Sequence, residues 1–296
     1  MTSSQLTMTQ SLFNRANVKL EWTLASYDEI PDIKYTALFQ QRQSYLDQVP
    51  ESQRTEYHAN LARSKKTFGY TAKSINLLPE VLLLGHTNVG KSSLINTLLL
   101  LKQEYTSNSS GTQHARVSSR AGFTKTLNCF NIDNKLRILD LPGYGEFGDE
   151  IQGKAVVEYI NRRRNLNRVF LLIDSVNGFR DEDQQLVTHL MDVGVSFEIV
   201  FTKVDQVIYN SMPKEIRKLP KKVQDPNERL RLANMVETSN HRVVAYFQDM
   251  IEGANLQQLA TLPRFLFNNS ISNTCCVQKN AFKEIRFAIL QSCGIV

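Results

Sequence analysis

The chain of 296 residues is 42% hydrophobic and carries a formal net charge of +6. A hydrophobic fraction of this size is enough to build a substantial core, which excludes a disordered or collagen-like chain. No uninterrupted apolar run is longer than the one at residues 169–173. A membrane-spanning helix needs about 20 apolar residues. The basic excess is compatible with a polyanionic partner but does not require one. We therefore expect a folded monomer without a membrane span.

The first twenty residues contain no Asp or Glu, six Ser or Thr, and the two cations Arg15 and Lys19. Mitochondrial presequences share this Ser-rich and acid-poor composition. Residues 1–20 are therefore predicted to be a mitochondrial targeting segment that directs the protein to the matrix. Because the same composition also arises by chance, a cytoplasmic protein with an ordinary surface segment is the alternative.

Residues 21–76 are predicted to be an extension in front of a compact domain. Pro31 and Pro50 interrupt this stretch, and between them the apolar spacing predicts an amphipathic helix. A second, polar helix is predicted over 51–64. The apolar positions of the first helix are Tyr35, Leu38, Phe39 and Leu46.

From Leu78 onward, short apolar runs alternate with helical patterns. Runs that are apolar at every position are typical of strands buried on both faces of a parallel sheet. Strands separated by helices predict an α/β domain over 77–296, with an open, mostly parallel six-stranded sheet and helices on both faces. Ligands of such sheets bind beyond the carboxyl ends of the strands. The predicted strands are 81–84, 127–132, 136–139, 169–173, 199–201 and 265–267.

Residues 85–92, GHTNVGKS, match the phosphate-loop pattern G-x-x-x-x-G-K-[ST] between a predicted strand and a predicted helix. Its glycines allow consecutive backbone N–H groups to point at phosphate oxygens, and the helix adds the positive end of its dipole. Lys91 is expected to reach the β- and γ-phosphates, and the Ser92 hydroxyl to bind Mg²⁺. A purely structural glycine turn is the alternative, which the strand–loop–helix context disfavours.

The tetrapeptide Asp140-Leu141-Pro142-Gly143 follows the predicted strand 136–139. At that position the Asp140 carboxylate can hold Mg²⁺ through a water, and the Gly143 N–H can contact the γ-phosphate. In isolation the tetrapeptide is an ordinary turn. Its place at the end of a buried strand favours the phosphate site.

The tetrapeptide Thr202-Lys203-Val204-Asp205 follows the predicted strand 199–201. The Asp205 carboxylate can accept hydrogen bonds from N1–H and the exocyclic amine of guanine, which adenine cannot supply. The Lys203 stem can cover the base. These residues predict GTP as the ligand. A P-loop ATPase or kinase, and a nucleotide-loaded scaffold without useful hydrolysis, are the alternatives.

Together, the three motifs resemble the EngB family of ribosome-assembly GTPases, in the Era-like group of P-loop GTPases. The resemblance covers about 77–292 and includes a first switch over 115–130, a second-switch helix near Tyr159, and Thr202, where many GTPases carry Asn. It implies hydrolysis of GTP to GDP and phosphate as a switch in assembly of the large ribosomal subunit, with its precursor and rRNA as partners. The long extension and the linker 102–114 suit a mitochondrial member.

The same resemblance implies the roles of the site residues. Lys91, Thr124 and Gly143 would be the catalytic groups, and Mg²⁺ would be held by Ser92, Thr124 and, through water, Asp140. The residues predicted to contact the nucleotide are Gly85, His86, Thr87, Asn88, Val89, Gly90, Lys91, Ser92 and Ser93, then Gly122, Phe123, Thr124, Lys125 and Thr126, then Asp140, Leu141, Pro142 and Gly143, then Thr202, Lys203, Val204 and Asp205, and finally Ser270, Ile271 and Ser272 for the guanine oxygen.

Two positions bear on the rate of hydrolysis. Tyr144 stands where a water-orienting Gln often follows the second-switch glycine, so we expect slow intrinsic turnover that needs a partner or a monovalent cation. Asn88 resembles an Asn that holds K⁺ beside the phosphates in some Era-like relatives. An amide bonded to its own backbone is the alternative role of Asn88.

Two basic clusters are candidates for contacts with rRNA phosphates. Residues 213–231 carry seven Lys or Arg against three acids, and the second cluster contains four arginines. Solvated helix faces are the alternative. The arginines of the second cluster are Arg162, Arg163, Arg164 and Arg168.

Overall fold

The computed structural model describes residues 2–64, 66–67, 70–71, 77–99, 126–144, 150–218, 225–254, 256, 259, 262–278 and 281–296. The linker 102–114 and the first-switch residues Gly122, Phe123, Thr124 and Lys125 lie outside these ranges. Within them, no helix combines the length and the apolar character needed to cross a bilayer.

The strands are β1 (Val18–Leu24), β2 (Lys66–Thr67), β3 (Tyr70–Thr71), β4 (Glu80–Gly85), β5 (Leu127–Ile132), β6 (Leu136–Asp140), β7 (Leu166–Asp174), β8 (Phe197–Thr202) and β9 (Phe265–Phe267). In the described residues seven of them form one sheet in the order β1-β5-β6-β4-β7-β8-β9. The strands from β6 to β9 in this order pair in parallel, whereas β5 runs antiparallel to both β6 and β1. Strands β2 and β3 form a separate hairpin.

The α/β class, the mostly parallel sheet and all six predicted strands are confirmed, but the predicted number of strands is wrong. The seventh strand, β1, comes from a stretch that was assigned to the targeting segment and the extension. Its apolar residues Val18, Leu20, Trp22 and Leu24 alternate with polar ones, which is the period of a strand. The pairing of β1 with β5 runs from Val18 opposite Ile132 to Leu24 opposite Leu127.

The helices are α1 (Ser3–Arg15), α2 (Pro31–Gln48), α3 (Glu56–Arg63), α4 (Lys91–Leu99), α5 (Glu150–Arg162), α6 (Asp181–Asp192), α7 (Val204–Ser211), α8 (Lys214–Arg217), α9 (Pro226–Gly253) and α10 (Phe282–Ser292). One face of the sheet packs against α1, α4 and α10, through residues such as Phe13, Leu94 and Ile289. The other face packs against α5, α6 and α9, through residues such as Tyr159 and Leu190. Helices on both faces are therefore confirmed.

The two helices predicted in the extension are present. Helix α2 has Pro31 in its first turn, where the fixed φ of proline suits a helix start. Helix α3 is shorter than the predicted 51–64, because Glu51–Gln53 form a separate 3₁₀ turn. Helix α2 also contacts the hairpin of β2 and β3.

Candidate functional site

The phosphate loop connects β4 to α4, as predicted, and its backbone requires glycine. Gly85 has φ +155°, and a Cβ there would lie 2.7 Å from the carbonyl oxygen of Leu172. Gly90 has φ +108°, and Asn88 lies in the left-handed region with φ 64°. Such a curled backbone can turn consecutive N–H groups toward an anion at the start of α4.

Lys91 and Asp140 are charged residues of the loop region, and both are buried. The Lys91 Nζ donates hydrogen bonds to the carbonyl oxygens of Gly85 at 2.9 Å and His86 at 3.1 Å. Burial lowers the pKa of Lys91 to about 8, although the nearby Asp140 opposes this shift. Burial raises the pKa of Asp140 to about 6, opposed by Lys91. A phosphate anion beside Lys91 would stabilise its protonated form, and a cation beside Asp140 would stabilise its carboxylate.

The Asp140 carboxylate suits a magnesium site. Its side chain is only 2% exposed, and its Oδ1 atom has no hydrogen-bond partner within the described residues. A buried carboxylate oxygen without a partner is costly, and a water molecule bound to Mg²⁺ would satisfy it. The predicted role of Asp140 is thus compatible with its environment.

The second-switch glycine lies directly on the phosphate loop. A Cβ on Gly143 would be 2.8 Å from the Thr87 nitrogen and 3.0 Å from the Lys91 Nζ, so only glycine allows this approach. The Thr87 N–H also donates to the Tyr144 carbonyl oxygen at 3.3 Å. Residues that are about 50 positions apart in the chain therefore meet where strands β4 and β6 end, as the parallel pairing predicts.

The Tyr144 side chain contacts Asp183, to which sequence reasoning gave no role, and His86 of the phosphate loop. Its hydroxyl donates to the Oδ1 of Asp183 at 2.6 Å, and its ring lies 4.6 Å from the His86 ring. Burial raises the pKa of Tyr144 and lowers that of His86. The His86 Nε2 lies 3.6 Å from the same Asp183 oxygen. The Tyr144 hydroxyl is thus engaged by Asp183, in the first turn of α6.

The base-recognition motif is tied to the phosphate loop. The Thr202 hydroxyl donates to the Val89 carbonyl oxygen at 2.6 Å, so a threonine links the two motifs here. Lys203 has φ 56°, and its Nζ lies 2.6 Å from the Oδ2 of Asp174. A cavity extends from His86, Thr87 and Asn88 to Asp174 and Lys203. The two motifs therefore border one continuous space.

Asn273 contacts Asp205, the residue predicted to recognise the base, and sequence reasoning missed it. Its Nδ2 donates to the Asp205 carbonyl oxygen at 2.9 Å and lies 3.5 Å from the Asp205 Oδ2. Its Oδ1 accepts the N–H groups of Cys275 and Cys276. Of the predicted guanine-contacting residues, Ser270 donates to Asn268. The guanine contacts of Ser270, Ile271 and Ser272 stay a prediction.

Asn273→Ala is expected to weaken GTP binding roughly tenfold, because one hydrogen bond that positions Asp205 is lost. Binding of ATP, which does not use the carboxylate, is expected to stay unchanged. Equilibrium titration with fluorescent nucleotides measures both affinities. Thr274→Ala is the control, since Thr274 is exposed on the same loop; an equal loss in the two variants would contradict the role of Asn273.

In the second basic cluster, Arg163 and Arg168 pair with acids, whereas Arg162 and Arg164 are exposed. Arg163 is buried and donates to Glu80 and Asp32. Arg168 donates to Glu198 at 2.7 Å. These two arginines neutralise acids of the fold, because burial of an arginine requires partners for its charge. In the run 213–231, the described side chains of Lys214, Lys218, Arg229 and Arg231 are exposed.

The chain is similar to several known proteins. Residues 80–203 match the family described as "50S ribosome-binding GTPase". The chain is 32% identical over 294 residues to MIOREX complex component 8 of Saccharomyces cerevisiae, covering 99% of this chain and 76% of the yeast protein. It is 39% identical over 155 residues to the probable GTP-binding protein EngB of Wolbachia pipientis wMel, covering 50% of this chain and 74% of that protein. Era of Aquifex aeolicus bound to GDP·AlF4⁻ aligns with a TM-score of 0.45 and 18% identity, over 73% of this chain and 56% of that chain.

Proposed function

This chain belongs to the EngB-type family of P-loop GTPases, and we propose that it hydrolyses GTP as a switch in assembly of the large ribosomal subunit in mitochondria. The observation that supports hydrolysis most directly is the meeting of Lys91, Asp140 and Gly143 at one edge of the sheet. Asp205, beside the same edge, would select guanine.

Phosphoryl transfer needs positioning and charge stabilisation more than covalent chemistry. Lys91 would turn from the carbonyls of Gly85 and His86 to the β- and γ-phosphates. Ser92, Thr124 and, through water, Asp140 would hold Mg²⁺, which neutralises developing charge when bound. The Gly143 N–H would contact the γ-phosphate, so that the segments around Thr124 and Gly143 are ordered by GTP and released after hydrolysis.

Tyr144→Phe is expected to change the rate of GTP hydrolysis by no more than about twofold, since the phenol donates to Asp183 rather than serving as a general base at its raised pKa. Multiple-turnover phosphate release measures the rate. Thermal unfolding of the same variant separates a loss of stability from a loss of chemistry. A tenfold slower turnover in a folded variant would assign a catalytic role to the hydroxyl.

Turnover is expected to be at least about tenfold faster in KCl than in NaCl of the same ionic strength, because Asn88 would help to hold K⁺ where an arginine finger acts in other GTPases. The left-handed backbone of Asn88 places it within the curled loop. Choline chloride serves as the control for ionic strength. Equal rates in the three salts would remove K⁺ from the proposal.

The ribosomal role is supported by the description of the matching family and by the EngB-type relatives. The mitochondrial location is supported by the composition of residues 1–20 and by the similarity of nearly the whole chain to a yeast component of the MIOREX complex. The test is sedimentation of the tagged full chain from mitochondrial lysate with a GTP analogue or with GDP. We expect the GTP form to migrate with large-subunit particles and the GDP form to leave them. Comigration with the small subunit, or none with either nucleotide, would contradict the role.

A further inference from the structure

The first thirty residues are packed against the GTPase domain at several points, although their composition suggested a targeting segment and an extension. We call Ser3–Asp32 the amino-terminal brace. It contains α1, β1, a 3₁₀ turn at Tyr27–Glu29 and the start of α2. These parts contact several elements of the domain.

Helix α1 fills a place in the core. Phe13 is only 1% exposed and belongs to the same hydrophobic cluster as Leu94 and Ile289. Thr9 and Ala16 are also buried. These contacts place α1 against α4, the helix that begins at Lys91, and against α10.

A buried arginine joins α1 to both helices. Arg286 is 0% exposed, and its Nε and Nη2 donate to the Leu98 carbonyl oxygen at 2.9 and 2.7 Å. Its Nη1 donates to Gln10 at 2.8 Å and Asn14 at 3.2 Å, and its guanidinium lies 4.9 Å from the Phe13 ring. Without α1, the buried cation would lose these two acceptors and the ring, which is costly inside a protein.

Strand β1 completes the sheet and supplies a charge partner. It covers the edge of β5, which would otherwise expose a row of unpaired backbone groups. Glu21 accepts hydrogen bonds from Arg137 Nη2 at 2.7 Å and Nε at 2.8 Å. Arg137 is buried, so β1 neutralises a cation of the domain.

The remainder of the brace lies on the second-switch helix. Tyr27 is buried with its ring edge-on to Tyr159 at 5.9 Å. Asp32 accepts a hydrogen bond from Arg163 at 2.6 Å, just after α5 ends. The brace therefore contacts β5, which follows the predicted first switch, and α5, which follows the second.

We propose that the amino-terminal brace is retained in the working protein as a permanent part of the GTPase domain. Any import information within it would then reside in a segment that is kept. Removal of the brace would take away Glu21, a partner of Arg137, and Asp32, a partner of Arg163. Both arginines would still face Glu80. The yeast relative aligns with 99% of this chain, so nearly all of the brace has an aligned counterpart there.

The first test examines the protein from its own cells. The chain is tagged at its carboxyl end, recovered from the organelle or cytoplasm where it resides, and its amino-terminal peptide is identified by mass spectrometry. We expect peptides from within Ser3–Arg15. A mature chain that begins at Asn17 or later would overturn the proposal. This outcome does not depend on GTP hydrolysis or on ribosome binding, so the proposed function is tested separately.

The second test compares two residues of α1 in the full chain. Phe13→Ala is expected to raise the unfolding equilibrium constant at least about a hundredfold and to weaken GTP binding through α4. Met8→Ala, at a position that is 52% exposed, is expected to change neither. If Phe13→Ala cannot be purified, Phe13→Leu is expected to show a smaller shift in the same direction. Equal unfolding midpoints for the Phe13 and Met8 variants would overturn the proposal.

Discussion

Asp205→Asn is expected to weaken GTP binding by about three orders of magnitude and to shift the preference toward xanthine nucleotides. A carboxylate accepts from the N1–H and amine of guanine, whereas an asparagine amide would place a donor against that amine. Xanthine carries a carbonyl at the position of the amine and accepts from the new amide. Asp205 is buried in the first turn of α7, and burial raises its pKa, so a mismatch there is not relieved by water.

Competition titrations with GTP, XTP and ATP measure this change. Asp181→Asn is the control, since Asp181 is exposed at the start of α6. A variant that keeps its GTP affinity, or that gains ATP instead of XTP, would contradict the role assigned to Asp205.

Glu80→Leu is expected to lower the free energy of unfolding by about 3–5 kcal/mol, the usual cost of removing one partner of a buried ion pair. Glu80 is 0% exposed at the start of β4. Its oxygens accept from Arg163 Nε at 2.7 Å and Nη2 at 2.6 Å, and from the Tyr159 hydroxyl at 2.6 Å. Without Glu80 these buried donors lose their acceptor, and Arg137 loses a nearby anion.

Urea unfolding measures the effect. Glu237→Leu, at an exposed position on α9, is expected to leave the midpoint near that of the wild type. Adding Arg163→Leu to Glu80→Leu is expected to recover part of the loss, because an apolar pair of similar volume avoids burying an unpaired cation. If the double variant recovers no stability, Asp32 and Tyr159 need the guanidinium of Arg163 beside them.

The amino-acid sequence alone determined the parts of the site that lie within single short segments. The phosphate loop, residues 140–143 and residues 202–205 each follow a run of apolar residues, and parallel strands end at a common edge. That rule predicted that the three segments meet at one edge, where the structure has Gly143 beside Lys91 and Thr202 bonded to Val89. The alternation in 18–24 was also a local signal for β1, but the acid-poor composition around it suggested a targeting segment.

Only the tertiary structure decided which distant polar groups pair. Asn273 meets Asp205 from 68 positions away, Tyr144 meets Asp183 from 39, and Arg163 meets Glu80 from 83. A local pattern records the burial and the period of one element, whereas such pairs depend on where separate elements cross. For the same reason, the sequence predicted Arg163 and Arg168 as part of a basic surface, whereas in the fold they form ion pairs with acids.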